Sequence, residues 1–360
     1  MRLCLAILFL LFAVPPAPAA TLRIAAVDVE GGGALLLKTP EGKSLLIDTG
    51  WAPGQGGPRA AGLPSSAARI AKAAQTLGIK RIDYLVMTHY HADHLGGLES
   101  VLARLPATTF IDHGPNREAM RPHPTPRQRA NAPAARWPAW VAAWRGHHHL
   151  SVTAGDRLDI GALHILFVAS DGKVLGAPLP GAGKPNPACA HVPSPPRIGG
   201  DENNRSLGML MTFGPARMIN LGDLTWEKEI ALLCPVNKAG PVDIYFVTGH
   251  GMELSGSPPT AALAPQVAIM QNGPLKGGDA SVIRTIDHYP GLKGFWRSHD
   301  SVRYPDLDGD PAYIANRQGQ PDQGHAIMID VTDKGQITVT NTRNGFSKRY
   351  SARQNMIAFP

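Results

Sequence analysis

Apolar runs separated by glycine and proline turns dominate the first third of the chain. The runs 22–28 (LRIAAVD), 33–39 (GALLLKT) and 44–48 (SLLID) predict three strands, divided by a Gly-rich turn and by the turn PEGK. Over 65–77 the period changes. Ala67, Ile70, Ala71, Ala74 and Leu77 follow helical spacing, and Gly78 predicts the stop. The nearly continuous apolar run 82–88 (IDYLVMT) predicts a strand buried on both faces. Residues 114–136 are rich in Pro and Arg and show no period, which predicts a loop. Trp137, Trp140 and Trp144 then stand at i, i+3 and i+7, along one helical face. A second loop rich in Pro and Gly is predicted over 171–202. Strand patterns return at 206–213, 216–222, 242–248, 266–270, 325–331 and 336–342, with a helix expected at 225–234. Strands mixed with helices, and no internal repeat, make this an α/β protein.

Composition adds three things. With 43% hydrophobic and 18% charged residues in 360, the chain is globular and not disordered. The formal charge of +7 permits anionic partners without requiring them. The first twenty residues, MRLCLAILFLLFAVPPAPAA, place Arg2 before an apolar run and end it with small residues and prolines, so 1–20 is expected to be a cleaved signal peptide. A membrane anchor is the alternative, but the run is short for a bilayer. The expected location is therefore exported, periplasmic or secreted, with no stable membrane anchor after cleavage. Cys189 and Cys234 then remain beyond the leader, and the sequence leaves open whether they pair.

The chemistry concentrates where the strand 82–88 ends. THYHADHLGG (88–97) packs His89, His91, Asp93 and His94 into six positions. On extended backbone, His89 and His91 can aim at one cation, and Asp93 and His94 then turn toward a neighbouring one. Imidazole with carboxylate suits zinc in an open catalytic site, and manganese or iron also accept that set.

With these residues in place the chain resembles the metallo-β-lactamase-fold hydrolases. LLIDTG (45–50), NLGDL (220–224) and VTGHG (247–251) resemble three further motifs of that superfamily, in order, over roughly 22–275. The resemblance implies a four-layer αββα sandwich, here spanning 21–345 with insertions near 114–150 and 171–202 and a C-terminal tail at 346–360. It implies two divalent ions, zinc first, with manganese or iron as alternatives. His89 and His91 would hold the first ion; Asp93, His94 and His250 the second; Asp223 would lie between them, and Asp48 would support the loop without ligating. A histidine that the superfamily usually places before the strand leading to Asp223 is missing. Asn204 is the expected substitute, with Asn203, Asp201 and a folded-back His191 as alternatives. Asn-x-x-Ser-Leu at that place is similar to the metallo-β-lactamase domain of competence-type DNA-internalisation proteins, although Gly249 stands where that subgroup has a second histidine. Asn272 and Lys276, in MQNGPLKGG (270–278), are expected to contact substrate.

The expected activity is exported, metal-dependent hydrolysis by a metal-bound water, with Asp93 orienting it or passing on a proton. Phosphodiesters are the first substrate class, as small molecules, nucleotides or nucleic acid. Lactone or β-lactam opening is the alternative, and a non-catalytic metal-binding module is a third reading. No protein partner is expected. The Trp137 face is expected to pack on the body of the protein, with a lid over the metals as the alternative, while 147–149 (HHH) and 306–310 (DLDGD) are expected to be solvated turn and loop.

Overall fold

The computed structural model describes residues 19–56, 63–194, 201–320 and 323–354. The expected export segment therefore lies, as far as residue 18, outside the described residues.

Two large sheets face each other. In the first, the order runs Ser347–Ser351, Gln336–Asn341, Ile327–Thr332, Thr21–Ala26, Leu35–Lys38, Ser44–Ile47, Ile82–Val86, Ala107–Asp112 and His148–Ser151. It is antiparallel as far as Ser44–Ile47 and parallel beyond. The second runs Ile314–Asn316, Gly294–His299, Val267–Met270, Ile244–Phe246 and Ala216–Asn220 in parallel, then turns antiparallel through Gly208–Phe213, Leu163–Ser170 and Arg157–Ile160.

Side-chain alternation explains why so many strands read as unbroken apolar runs. Leu22, Ile24, Leu45, Ile47 and Val86 point between the sheets, where they meet Met209, Met211, Met218, Ile244 and Ile269. Their neighbours Ala25, Leu46 and Leu85 face the other way, against the helices Ser66–Leu77 and Pro133–Trp144. On the far side, Leu210, Ile219, Tyr245 and Ala268 pack under Trp226–Leu233 and Ala280–Asp287. Each sheet is thus covered on both faces, the condition for parallel pairing, and the four layers form the expected αββα sandwich.

Ser66–Leu77 begins at Ser65, whose hydroxyl accepts from the Ala68 N–H, and ends at Gly78 in the left-handed conformation, φ 65°. Several expectations need correction. The stretch 114–136 is not all loop. Thr125 and Gln128 form a capping box that starts the helix Pro126–Asn131, and Pro133 opens Pro133–Trp144. The first of these buries no residue, so it leaves no hydrophobic period. The segment from 346 is not simply a tail, because Ser347–Ser351 pairs with Gln336–Asn341 and inserts Tyr350 into the core. His149 is no solvated turn either: it lies in a strand, stacks on Trp144 with ring centroids 4.1 Å apart, and bonds Asp112 at 2.8 Å.

The three tryptophans do face the body of the protein. Trp140 is fully buried, Trp137 packs on Tyr90 and Trp144 on His149. A disulfide joins Cys189, on the short turn Pro187–His191, to Cys234 at the end of Trp226–Leu233. Among the described residues no helix is long and apolar enough to cross a membrane.

Candidate metal centre

The parallel halves of both sheets end at the same edge, and their C-terminal ends deliver the site. Ser44–Ile47 leads to Asp48 and Ile82–Val86 to His89; Ala216–Asn220 leads to Asp223 and Ile244–Phe246 to His250. Around the motif the backbone stays extended to His91 (φ −67°, ψ 157°) and then turns through the four-residue helix Ala92–Leu95. That change of direction separates His89 and His91 from Asp93 and His94.

Three imidazoles are oriented from behind. His94 Nδ1 lies 2.7 Å from Asp48 Oδ2, and His250 Nδ1 lies 3.2 Å from the Gln271 carbonyl. Both partners only accept, so each Nδ1 carries the hydrogen and each Nε2 is left with a lone pair. The Thr88 hydroxyl donates to Asp48 at 2.7 Å and therefore receives its bond from His89 Nδ1, 3.1 Å away. His89 Nε2 is fully buried and has no partner. Thus Asp48 does not ligate; it fixes His94 directly and His89 through Thr88.

In front, the acceptors crowd together. His94 Nε2 and His250 Nε2 are 3.0 Å apart, and each lies 3.3 Å from both Asp93 Oδ2 and Asp223 Oδ1. These four buried groups offer ligand atoms all within 4.8 Å of one another. Lone pairs and carboxylates so placed repel unless a cation or protons lie among them. Burial alone would depress the His94 imidazolium, but Asp223, Asp93 and Asp48 outweigh it and raise its pKa well above the ordinary value. His89 goes the other way, well below, chiefly through burial and then the neighbouring His94. The donor set therefore fits a divalent ion.

Asp223 faces two ways: its second oxygen, Oδ2, is 4.0 Å from His89 Nε2. Gly222, at φ 55°, makes that turn possible, and a Cβ there would press on Ser206 and Thr88 at 3.0–3.2 Å. His250 itself adopts φ 58°, unusual for a residue with a side chain. Its loop is held by Gly249 N donating to Gly222 O and Gly278 N donating to His250 O. Gly249 leaves no space for the second histidine of the competence-type motif, since a Cβ there would lie 2.3 Å from Ser255 Oγ.

Two expected site residues are corrected. Asn204 does not offer its amide oxygen to a metal, because that oxygen accepts from the Thr225 hydroxyl. Asn272 does not reach substrate. It is buried and clamps the backbone of His299, donating to His299 O at 2.9 Å and accepting from His299 N at 3.3 Å. His191 is exposed on the disulfide-tied turn and is not in the ligand cluster. Asp201 is exposed and lies 3.8 Å from Arg205. Lys276 is at the site, where its ammonium contacts Asp93 Oδ2 and donates to Gly31 O at 2.7 Å. Burial would raise the Asp93 carboxyl, but Lys276 and then His94 hold it well below the usual carboxylate range.

Sequence reasoning missed Thr88 and Gln271. Thr88 was legible only as a neighbour of the motif, and Gln271 acts through its backbone. It missed Glu229 as well. This buried carboxylate accepts from Gly256 N and Ser257 N at 2.9 and 2.7 Å and so braces the loop that follows His250. Burial pushes its pKa up to about 7 despite those bonds. A raised carboxyl pKa means the native state keeps a proton that the unfolded chain releases above its ordinary value of 4.5. Stability should therefore fall as pH rises from 4.5 to about 7, by about 3 kcal/mol from this group. Denaturant unfolding of Glu229→Gln at pH 5 and pH 7.5 should show a slope flatter than wild type by that amount; parallel slopes would refute the assignment.

Residues 28–183 match the family model of the metallo-beta-lactamase superfamily. That match spans less than half of the chain; with the two-sheet sandwich and the ligand set at its edge, it makes the chain similar to the metal-dependent hydrolases of the metallo-β-lactamase superfamily. Among solved structures it is similar to the metallo-beta-lactamase fold protein YhfI from Bacillus subtilis, at 11% identity over 78% of this chain and 96% of that one, with a TM-score of 0.43. A diphosphatase from the PhnP family shares 13% identity over 87% and 98% of the two chains, with a TM-score of 0.39. CmlA, a diiron beta-hydroxylase from Streptomyces venezuelae, shares 15% over 78% and 53%, with a TM-score of 0.40. No curated protein matches the chain.

Proposed function

We propose that this is an exported phosphodiesterase that works with two divalent ions, zinc first and manganese or iron as alternatives. The observation that carries the substrate class is a cavity of about 240 Å³ that begins at His91. Its wall is built by the insertion, with Arg121 and Arg127 beside Gln128 and Asn131. Arginines that line one cavity with a candidate metal ligand suit an anionic ester better than a neutral lactone. The similarity of 203–207 (NNRSL) to the competence-type domain tilts the same way, by analogy. The Cys189–Cys234 disulfide supports export, because such bonds persist in oxidising compartments.

Divalent ions held by His89, His91, Asp93, His94, Asp223 and His250 would supply Lewis acidity and an acidified water. The chain's own part is orientation and charge. Asp48, Thr88 and the Gln271 carbonyl keep three Nε2 atoms bare and aimed inward. Lys276 keeps Asp93 ionised, so in the resting state Asp93 is an acceptor that can orient a water or take up its proton. Arg121 and Arg127 would hold the non-reacting oxygens of the diester.

The test is hydrolysis of bis-p-nitrophenyl phosphate by protein loaded with zinc or manganese, with Asp93→Ala as control. Turnover absent from the control supports the reading. No turnover from protein shown to hold metal removes it, and lactones and β-lactams become the next panel. Protein that takes up no metal would remove the metal-dependent hydrolase reading altogether.

A further inference from the structure

We propose that Glu118, from the insertion, is the protein ligand that replaces the missing histidine on the His89–His91 side of the centre. The inference rests on the metallohydrolase reading above and says which residue completes its first site.

The need is visible in His89, whose Nε2 is fully buried and unpartnered while Nδ1 is fixed on Thr88. Asp223 Oδ2 faces it at 4.0 Å, while Oδ1 of the same carboxylate belongs to the other four-ligand cluster. His91 Nε2, next along the motif, points to Glu118 Oε2 at 3.9 Å. Ligand atoms that each lie about 2 Å from one ion are separated by about 3–4 Å, so this pair has the spacing of two ligands.

Glu118 is also held in place. Glu202 N donates to Glu118 Oε2 at 3.0 Å, and Asn116 brackets the residue, accepting from Glu118 N at 3.0 Å and donating to Glu118 O at 3.1 Å. The loop is tied back where the Tyr90 hydroxyl donates to Gly114 O. Tyr90 lies between His89 and His91, so the motif and the insertion are braced against each other.

Among the residues that take the missing histidine's place in the chain, Asn204 is bonded to Thr225, and Glu202 Oε1 accepts from Tyr90 N and His113 Nε2. Asn203 and Glu202 are the rivals, since Asn203 Oδ1 and Glu202 Oε2 are buried with no partner; unlike them, Glu118 lies against His91 Nε2. A set of two imidazoles and two carboxylates is harder than one of three imidazoles, and shifts the first site toward manganese or iron relative to zinc.

The experiment is equilibrium binding of Zn²⁺ and of Mn²⁺ to chelator-stripped full-length protein, read as ions per chain and Kd for each step. Wild type is compared with Glu118→Ala, Glu118→His, Asn203→Ala and Glu202→Gln, and metal-free melting curves check each fold. Glu118→Ala should weaken one binding step at least about 10-fold and leave the other unchanged. Glu118→His should restore that step for Zn²⁺ and weaken it for Mn²⁺, which a merely structural residue would not do. Two unchanged steps in Glu118→Ala overturn the inference and leave the metallohydrolase reading standing. So does a loss produced by Asn203→Ala or Glu202→Gln instead. A wild-type protein that binds neither ion overturns both.

Discussion

Asp223→Ala should abolish metal retention on both sides of the centre at once. Its two carboxylate oxygens face different groups, Oδ1 toward His94 and His250 and Oδ2 toward His89. No other described carboxylate is placed in that way. Losing it removes a charged ligand from each side, where even the partners behind ligands are worth 10–100-fold in affinity. Both binding steps should therefore weaken by more than about 100-fold. Turnover, which draws on several kcal/mol of charge stabilisation, should fall about a thousandfold or more. Linkage gives an independent reading. An ion at about 100 times its Kd stabilises the fold by about 2.7 kcal/mol, so wild type should melt later when zinc is added and Asp223→Ala should not. Asp223→Asn keeps the shape without the charge and should follow the alanine variant. If either variant kept both ions, the carboxylate would not be shared.

How much of this was legible in the sequence depended on how local each signal is. Four ligand-type residues within six positions were readable from spacing, because the strand end and the short helix Ala92–Leu95 are set by the same residues that carry the chemistry. Asp223 and His250 were reached only through resemblance, because what gathers them is sheet topology. Amides were misread for a physical reason. Asn204 and Asn272 have the composition of contact residues, but a hydroxyl or a backbone turn had already claimed their atoms, and no pattern in the sequence shows that. Apolar periodicity served the sandwich well and failed at its margins. Ser347–Ser351 buries only Tyr350, and Pro126–Asn131 buries nothing. The capping pair Thr125 and Gln128 was in the sequence and would have found the second of these. Glu118 carried no local signal, since its place beside His91 depends on how the insertion folds back.

That folding back rests on Trp140, and Trp140→Ala should be the most destabilising single change in the insertion. The side chain is fully buried, meets Phe110 edge-on with centroids 5.5 Å apart, and its Nε1 donates to Asp112 Oδ2 at 2.7 Å. Truncation leaves a cavity under the first sheet and removes one bond from a buried carboxylate, about 3–5 kcal/mol together. For a chain of this length that corresponds to about a 6 °C drop in Tm. Trp140→Phe keeps most of the volume and loses only the hydrogen bond, so about 1–2 kcal/mol is expected. The consequence should reach the metal centre. Asp112 also receives the Gly114 N–H at 2.8 Å, and Gly114 O receives the Tyr90 hydroxyl that ties the Glu118 loop to the histidine motif. Trp140→Ala should therefore weaken the same metal-binding step as Glu118→Ala, but less, and leave the other step alone. Denaturant unfolding and metal titration on one preparation would check both. A full stability loss with both metal steps intact would make the tryptophan a packing residue only, and would detach the insertion from the chemistry of the site.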